Sequence, residues 1–250
     1  MTDVSTVIPA VATAAEGEFR IGRVFSRTTT LLSRNFPIYF VVAAVGSVPL
    51  LLFKKTDIPL IDDSVTLSLI AGILLLLLGP LTQAVMLHVA FQDMRGQRVS
   101  LTAAVRAAFA RILPLIGLTI CMGVAIVVGV LLLIVPGLIL MTMWYVANSA
   151  CIVERLGVFA SMERSSALTK GHRWAIFGTW LLLVIAGAIV SAVVDAVVGL
   201  SGSAGLVTAG SAAWSAFATA FGIVFAVVIY HDLRVAKEGV DTRQIAAVFE

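Results

Sequence analysis

ILPLIGLTICMGVAIVVGVLLLIVPGLILMTMWYVANSACIV, residues 112–153, contains no Asp, Glu, Lys, Arg or His. As one helix it would extend about 63 Å, roughly twice the ~30 Å hydrocarbon thickness of a bilayer. The run therefore reads as two membrane crossings. Pro136-Gly137 is the expected break, because proline cannot continue the hydrogen-bond ladder and glycine permits a tight reversal. Spans are predicted at 112–135 and 138–153, a hairpin with almost no outer loop. One long tilted helix would also leave the following basic segment on the wrong face of the membrane.

The same pattern extends in both directions. Apolar runs at about 36–53, 65–91, 174–198 and 206–230 complete six predicted spans. The chain is 60% hydrophobic and 12% charged, with mean hydropathy +1.07. A soluble domain carries about a quarter charged residues, and no water-soluble fold of this size hides so much apolar surface. The expected fold class is all-α: a polytopic membrane protein with six transmembrane helices in three hairpins. Gly79-Pro80 is a candidate kink in the second span, which buried helices tolerate when neighbours satisfy the freed carbonyl.

Cation placement orients the bundle. Of 17 Lys and Arg residues, 15 fall in four segments on one predicted side; only Lys54 and Lys55 lie on the other. Flanking cations resist translocation, so the basic side is cytoplasmic and both termini lie there. This topological role accounts for the net charge of +3 and excludes nucleic acid as the expected partner. Residues 1–18 read as a disordered cytoplasmic tail without a cleavable signal peptide. Residues 19–233 form the membrane domain, and 234–250 form a cytoplasmic tail with a helix predicted from Asp241.

Each hairpin is preceded by a basic segment of amphipathic character. In residues 19–35, Phe19, Ile21, Val24, Phe25, Leu31 and Leu32 alternate with Arg20, Arg23, Arg27 and Arg34. Ser100 is the expected N-cap of a second such helix, with Leu101, Ala104, Val105, Ala108, Phe109 and Ile112 opposite Arg106, and Arg111 at the span junction. The third, 154–173, has Phe159, Met162, Ala167 and Leu168 as apolar members, and Gly171 can cap its end. Arg20, Arg23, Arg27, Arg34, Arg106, Arg111, Arg164, Lys170 and Arg173 are the expected contacts to lipid headgroups, their stems lying along apolar surface. Arg34-Asn35-Phe36-Pro37, Arg111-Ile112-Leu113-Pro114 and His172-Arg173-Trp174 mark the three junctions of a loose internal repeat.

Three motifs carry a resemblance: Ile134-Val135-Pro136-Gly137; the run from Arg164 through Ser165-Ser166-Ala167-Leu168-Thr169-Lys170-Gly171-His172-Arg173 to Trp174; and Tyr230-His231-Asp232-Leu233-Arg234-Val235-Ala236-Lys237-Glu238-Gly239. Together they resemble a broad bacterial six-span family. A similar module is the membrane domain joined to some glycerophosphoryl diester phosphodiesterases. The resemblance spans roughly residues 19–249. It implies a fold and a bacterial inner-membrane location, supplies no catalytic residues, and leaves out the hydrolase domain.

Polar groups inside hydrocarbon ask for an explanation. Gln83 and Asn148 lie near mid-depth of spans two and four and can meet. They read either as an interhelical hydrogen bond or as part of a substrate path. In span six, Thr208, Ala212, Ala216 and Ala220 form one row; Ser211, Ser215 and Thr219 form the next. These rows read as close helix packing or as a hydrophilic groove. Asp195 falls about 31 Å along its helix from Trp174, at the outer interface. Trp144 and Trp214 are expected in the core. His88, His172 and His231 are scattered over three junctions and do not form a metal pattern. Cys121 and Cys151 read as packing residues. No GxSxG, HExxH or phosphate loop occurs, so neither catalysis nor a cofactor is expected. The expected function is a non-enzymatic one: organising membrane lipids, anionic ones in particular, or a protein partner, a second copy of the chain included, at the cytoplasmic leaflet. The alternative is a small transporter or channel with a polar path near Gln83, Asn148, Ser211 and Ser215.

Overall fold

The computed structural model describes residues 21–54, 64–200 and 202–238. Among them there is no strand. The helices are α1 Ile21–Arg34, α2 Phe36–Lys54, α3 Ser64–Met94, α4 Leu101–Phe109, α5 Ile112–Leu132, α6 Ile134–Met143, α7 Ala147–Val153, α8 Val158–Thr169, α9 Arg173–Gly199 and α10 Ala204–Glu238. Among the described residues, five stretches are long and apolar enough to cross a membrane: Gly72–Met94, Ile112–Leu132, Ile134–Val153, Arg173–Gly199 and Gly205–Glu238. The predicted first span lies within α2, whose described apolar part, Phe36–Ser47, is shorter. The 1–18 tail, Arg20, the loop after Lys54 and the tail helix from Asp241 lie outside the described residues.

The reversal between α5 and α6 differs from expectation. It falls at Leu133, a single extended residue (φ −162°, ψ 136°), and not at Pro136-Gly137. Pro136 occupies the first turn of α6, where its missing N–H costs nothing. Gly137 serves close approach instead of reversal. A Cβ there would stand 2.8 Å from the Val130 amide nitrogen, and one on Gly129 would stand 3.1 Å from the Gly137 Cα. The two glycines thus let the antiparallel backbones touch, as helices in lipid favour.

The fourth predicted span is not one helix. Trp144 (φ −104°, ψ 14°) and Val146 (φ −105°, ψ 11°) leave the helical region and split it into α6 and α7. The break frees the Met143 carbonyl. Ser165 Oγ donates to it at 2.9 Å, and Thr169 Oγ1 lies 3.1 Å from it while sharing its single proton with the Ser165 carbonyl at 2.9 Å. Irregular backbone at membrane depth is tolerated where protein groups satisfy it in this way.

That contact changes the reading of the third basic segment. Its buried face is Ser161, Ser165, Leu168 and Thr169, while Phe159 and Ala167 are exposed. Small hydroxyl residues at i, i+4, i+8 form a narrow face that wedges against α5, α6 and α10. Gly171, at φ +90°, ends the segment in the left-handed conformation that glycine adopts without a Cβ penalty. α4 starts as expected: Ser100 Oγ accepts from the Ala103 amide. α10 runs two turns past the predicted end of span six, to Glu238.

Burial is concentrated at one end. Ala84–Phe91 of α3 except His88, Ala147–Ile152 of α7 except Asn148, and Val224–Leu233 of α10 except Ala226 are buried. At the other end, Leu131, Leu132, Leu133, Ile134 and Val135 are all exposed. α1 packs across α10. Val24, Leu31 and Leu32 are buried, and Phe25 meets Phe225 edge-on at 5.3 Å and Phe221 at 5.9 Å.

Candidate functional site

The buried end is also the charged end, and ion pairs define it. Arg27 of α1 meets Asp232 of α10 at 2.7 Å. Arg34 meets Asp93, at the end of α3, at 3.7 Å. Arg164 of α8 donates from Nε to both carboxylate oxygens of Glu154, at 2.9 and 2.8 Å, and from Nη2 to Glu238. Arg234 Nε holds the other Glu238 oxygen at 2.9 Å, and Tyr230 Oη donates to Glu154 at 2.7 Å. Arg111 Nη1 donates to the Arg155 carbonyl at 3.2 Å. The ends of α1, α3, α7, α8 and α10 and the start of α5 are therefore gathered together.

The energetic weight of these contacts differs. Arg27 is 47% exposed, so water screens its pair and the gain is at most about 1 kcal/mol. Glu154 is 17% exposed and satisfies two donors on two helices, so its loss leaves the Tyr230 phenol unpaired and Arg164 with Glu238 as its remaining carboxylate. Burial opposes the charge of Arg164. Hydrogen bonds to Glu238 and Glu154, together with their negative charges, outweigh that and raise its pKa above the ordinary arginine value.

The expected headgroup contacts thus divide into groups. Arg27, Arg34 and Arg164 spend their charge on carboxylates of the chain. Arg111 holds a carbonyl, and Arg173 Nη2 reaches Ser166 Oγ at 3.4 Å. Arg106 and Lys170 are exposed, and Arg23 is half-buried. No ion-pairing role was expected from the sequence for the carboxylates Asp93, Glu154, Asp232 and Glu238. The available signal was their position: each lies within a turn or two of a helix end already rich in arginine.

Deeper in the bundle, Asn148 Nδ2 donates to Gln83 Oε1 at 2.9 Å, joining α7 to α3. The Asn148 Oδ1 is buried without a partner among the described residues. In α10, Ser211 Oγ turns back to the Thr208 carbonyl at 3.2 Å, and Ser215 is half-buried. Ala216 and Ala220 are buried, Ala212 is half-buried and Thr208 is exposed. Trp144 is buried and Trp214 half-buried; Asp195 is exposed on α9. His231 Nδ1 lies 3.5 Å from Asp232 Oδ1, and His88 Nδ1 lies 3.2 Å from the Ala84 carbonyl. Cys151 is buried and Cys121 half-buried; both are free thiols.

Between the ends of α3 and α7 lies a cleft of about 300 Å³. Leu87, Phe91, Ile152 and Val153 supply apolar walls; His88, Gln92, Arg95, Gln97 and Arg155 supply polar groups. Arg155 has φ +55°, the one non-glycine residue at positive φ among the described residues. A left-handed L-residue costs on the order of 1 kcal/mol, and such strain gathers at functional positions. Arg95 and Arg155 meet no carboxylate among the described residues, so the polar side of this cleft carries unbalanced positive charge. The chain matches no family model and no solved structure.

Proposed function

We propose that the chain is an integral protein of the bacterial cytoplasmic membrane, with six spans in three hairpins and both termini cytoplasmic, related to the six-span modules its motifs resemble. It is non-enzymatic and organises lipids or a partner protein at the cytoplasmic leaflet. One observation carries this reading. The ion pairs gather the basic junctions at one end, and there Arg98, Arg106 and Lys170 remain exposed with no carboxylate in reach among the described residues. Exposed cations at a membrane surface attract acidic headgroups by about 1 kcal/mol each.

Transport stands second. Its support is the buried Asn148 Oδ1, but Gln83 and Asn148 spend their main hydrogen bond on each other. The primary reading has a two-part test. A topology reporter at residue 100 is expected inside the cell and one at residue 60 outside. Arg98→Glu, Arg106→Glu and Lys170→Glu together should lower the acidic-lipid share of the membrane shell that co-purifies with the protein in polymer-bounded nanodiscs. A reversed topology, or an unchanged acidic share, overturns the reading.

A further inference from the structure

We infer that the cleft between α3 and α7 is a binding site for the phosphate of an acidic glycerophospholipid, held by Arg95 and Arg155. The inference rests on the membrane reading above and adds a site and a ligand class to it. The carrying observation is a contrast among arginines. Arg27, Arg34, Arg164 and Arg234 are each committed to a carboxylate of the chain. Arg95 and Arg155 line the same cleft, and among the described residues neither meets a carboxylate. Two guanidinium groups at one cavity suit a phosphate, whose oxygens take paired N–H donors.

The rest of the lining agrees. Gln92 Oε1 is occupied by the Ser100 amide at 3.0 Å, which leaves its NH₂ to donate. Gln97 and His88 add further polar groups at the mouth. Arg155 is held in its left-handed conformation while its carbonyl accepts from Arg111, so its backbone is fixed at the edge of the cleft. Buried Leu87, Phe91 and Ile152 back the cleft and half-buried Val153 edges it, an apolar side that a free phosphate does not use, whereas the glycerol and first acyl carbons of a lipid do. At about 300 Å³ the cleft takes a headgroup and its glycerol, with the tails left in the bilayer.

The test counts lipids bound to the full-length detergent-purified protein by native mass spectrometry, with phosphatidylglycerol against phosphatidylcholine. Wild type is expected to prefer phosphatidylglycerol. Arg95→Gln with Arg155→Gln should lower that affinity about tenfold, and Arg98→Gln with Arg106→Gln, which removes equal charge outside the cleft, less than about twofold. Val153→Trp fills the cleft without changing charge and should match the first pair. Equal weakening by both charge pairs overturns the site while leaving leaflet association standing. No preference for phosphatidylglycerol in wild type overturns both. Displacement of the lipid by about 10 mM inorganic phosphate overturns the lipid as the source.

Discussion

α9 and α10 are adjacent, both long and both apolar, yet they meet different surroundings. Of α9 only Ile176 and Thr179 are buried, near its charged start. α10 buries Ala216 and Ala220 and then nearly everything from Val224 to Leu233. The contrast holds across the molecule. Arg173–Gly199 and Ile112–Leu132 are the most apolar candidate spans and the least buried. Ile134–Val153 is the least apolar, and 44% of its most apolar stretch is buried. Water would order these the other way. In lipid, aliphatic side chains lose little by facing outward, and what drives helices together is close packing and polar contacts. Hydropathy marks the lipid-facing helices, and small or polar residues mark the core.

Glu154→Ala tests this contrast hardest. It leaves Arg164 and Tyr230 without their shared acceptor, and the loss should be about 3 kcal/mol, read as a lowered thermal midpoint in detergent. A change below the scatter of surface variants would mean that the charged end is not what ties α8 to α10. Next is the pair Ser165→Ala and Thr169→Ala. Either hydroxyl alone serves the Met143 carbonyl, so each single change should be mild and the double should cost about 2 kcal/mol. Strict additivity in chemical denaturation would contradict shared satisfaction.

The same methyl group can be removed from both environments. Ile229→Val, in the buried half of α10, should cost about 1 kcal/mol, and Ile189→Val, exposed on α9, less than about 0.5 kcal/mol. Equal costs by thermal unfolding would place a partner against α9 and erase the contrast. The smallest effect is the coupling of Gln83 to Asn148. A double-mutant cycle through Gln83→Leu and Asn148→Leu should give about 0.6 kcal/mol; no coupling would show that burial of each amide, and not their bond, matters.

Features set by local chemistry were legible in the sequence. Ser100 caps α4 and Gly171 ends the α8 segment because each needs only its own backbone geometry. Gln83 and Asn148 were legible as a pair from depth alone, since a straight helix converts residue number into height. Features set by another helix were not. The Leu133 turn depends on where Gly129 and Gly137 touch, which moves the reversal three residues ahead of the proline. The break at Trp144–Val146 carries no proline or glycine, so nothing local announces it. The buried hydroxyl face of α8 was not legible, because its acceptor is a carbonyl 22 residues earlier. The arginines were visible, but their commitment to Asp93, Glu154, Asp232 and Glu238 needed the helix ends in register.

That split in the fourth segment has a consequence for how the chain is made. Among the described residues, the Met143 carbonyl is answered by hydroxyls 22 and 26 residues downstream. When residues 134–153 leave the ribosome, Ser165 and Thr169 are still enclosed in its exit tunnel, so the segment enters the bilayer either as a continuous helix or with an exposed carbonyl. Its final shape arises only after Thr169 has emerged and α8 has wedged home. Assembly is therefore ordered in time, with the third cationic joint acting as the late clasp on the hairpin before it.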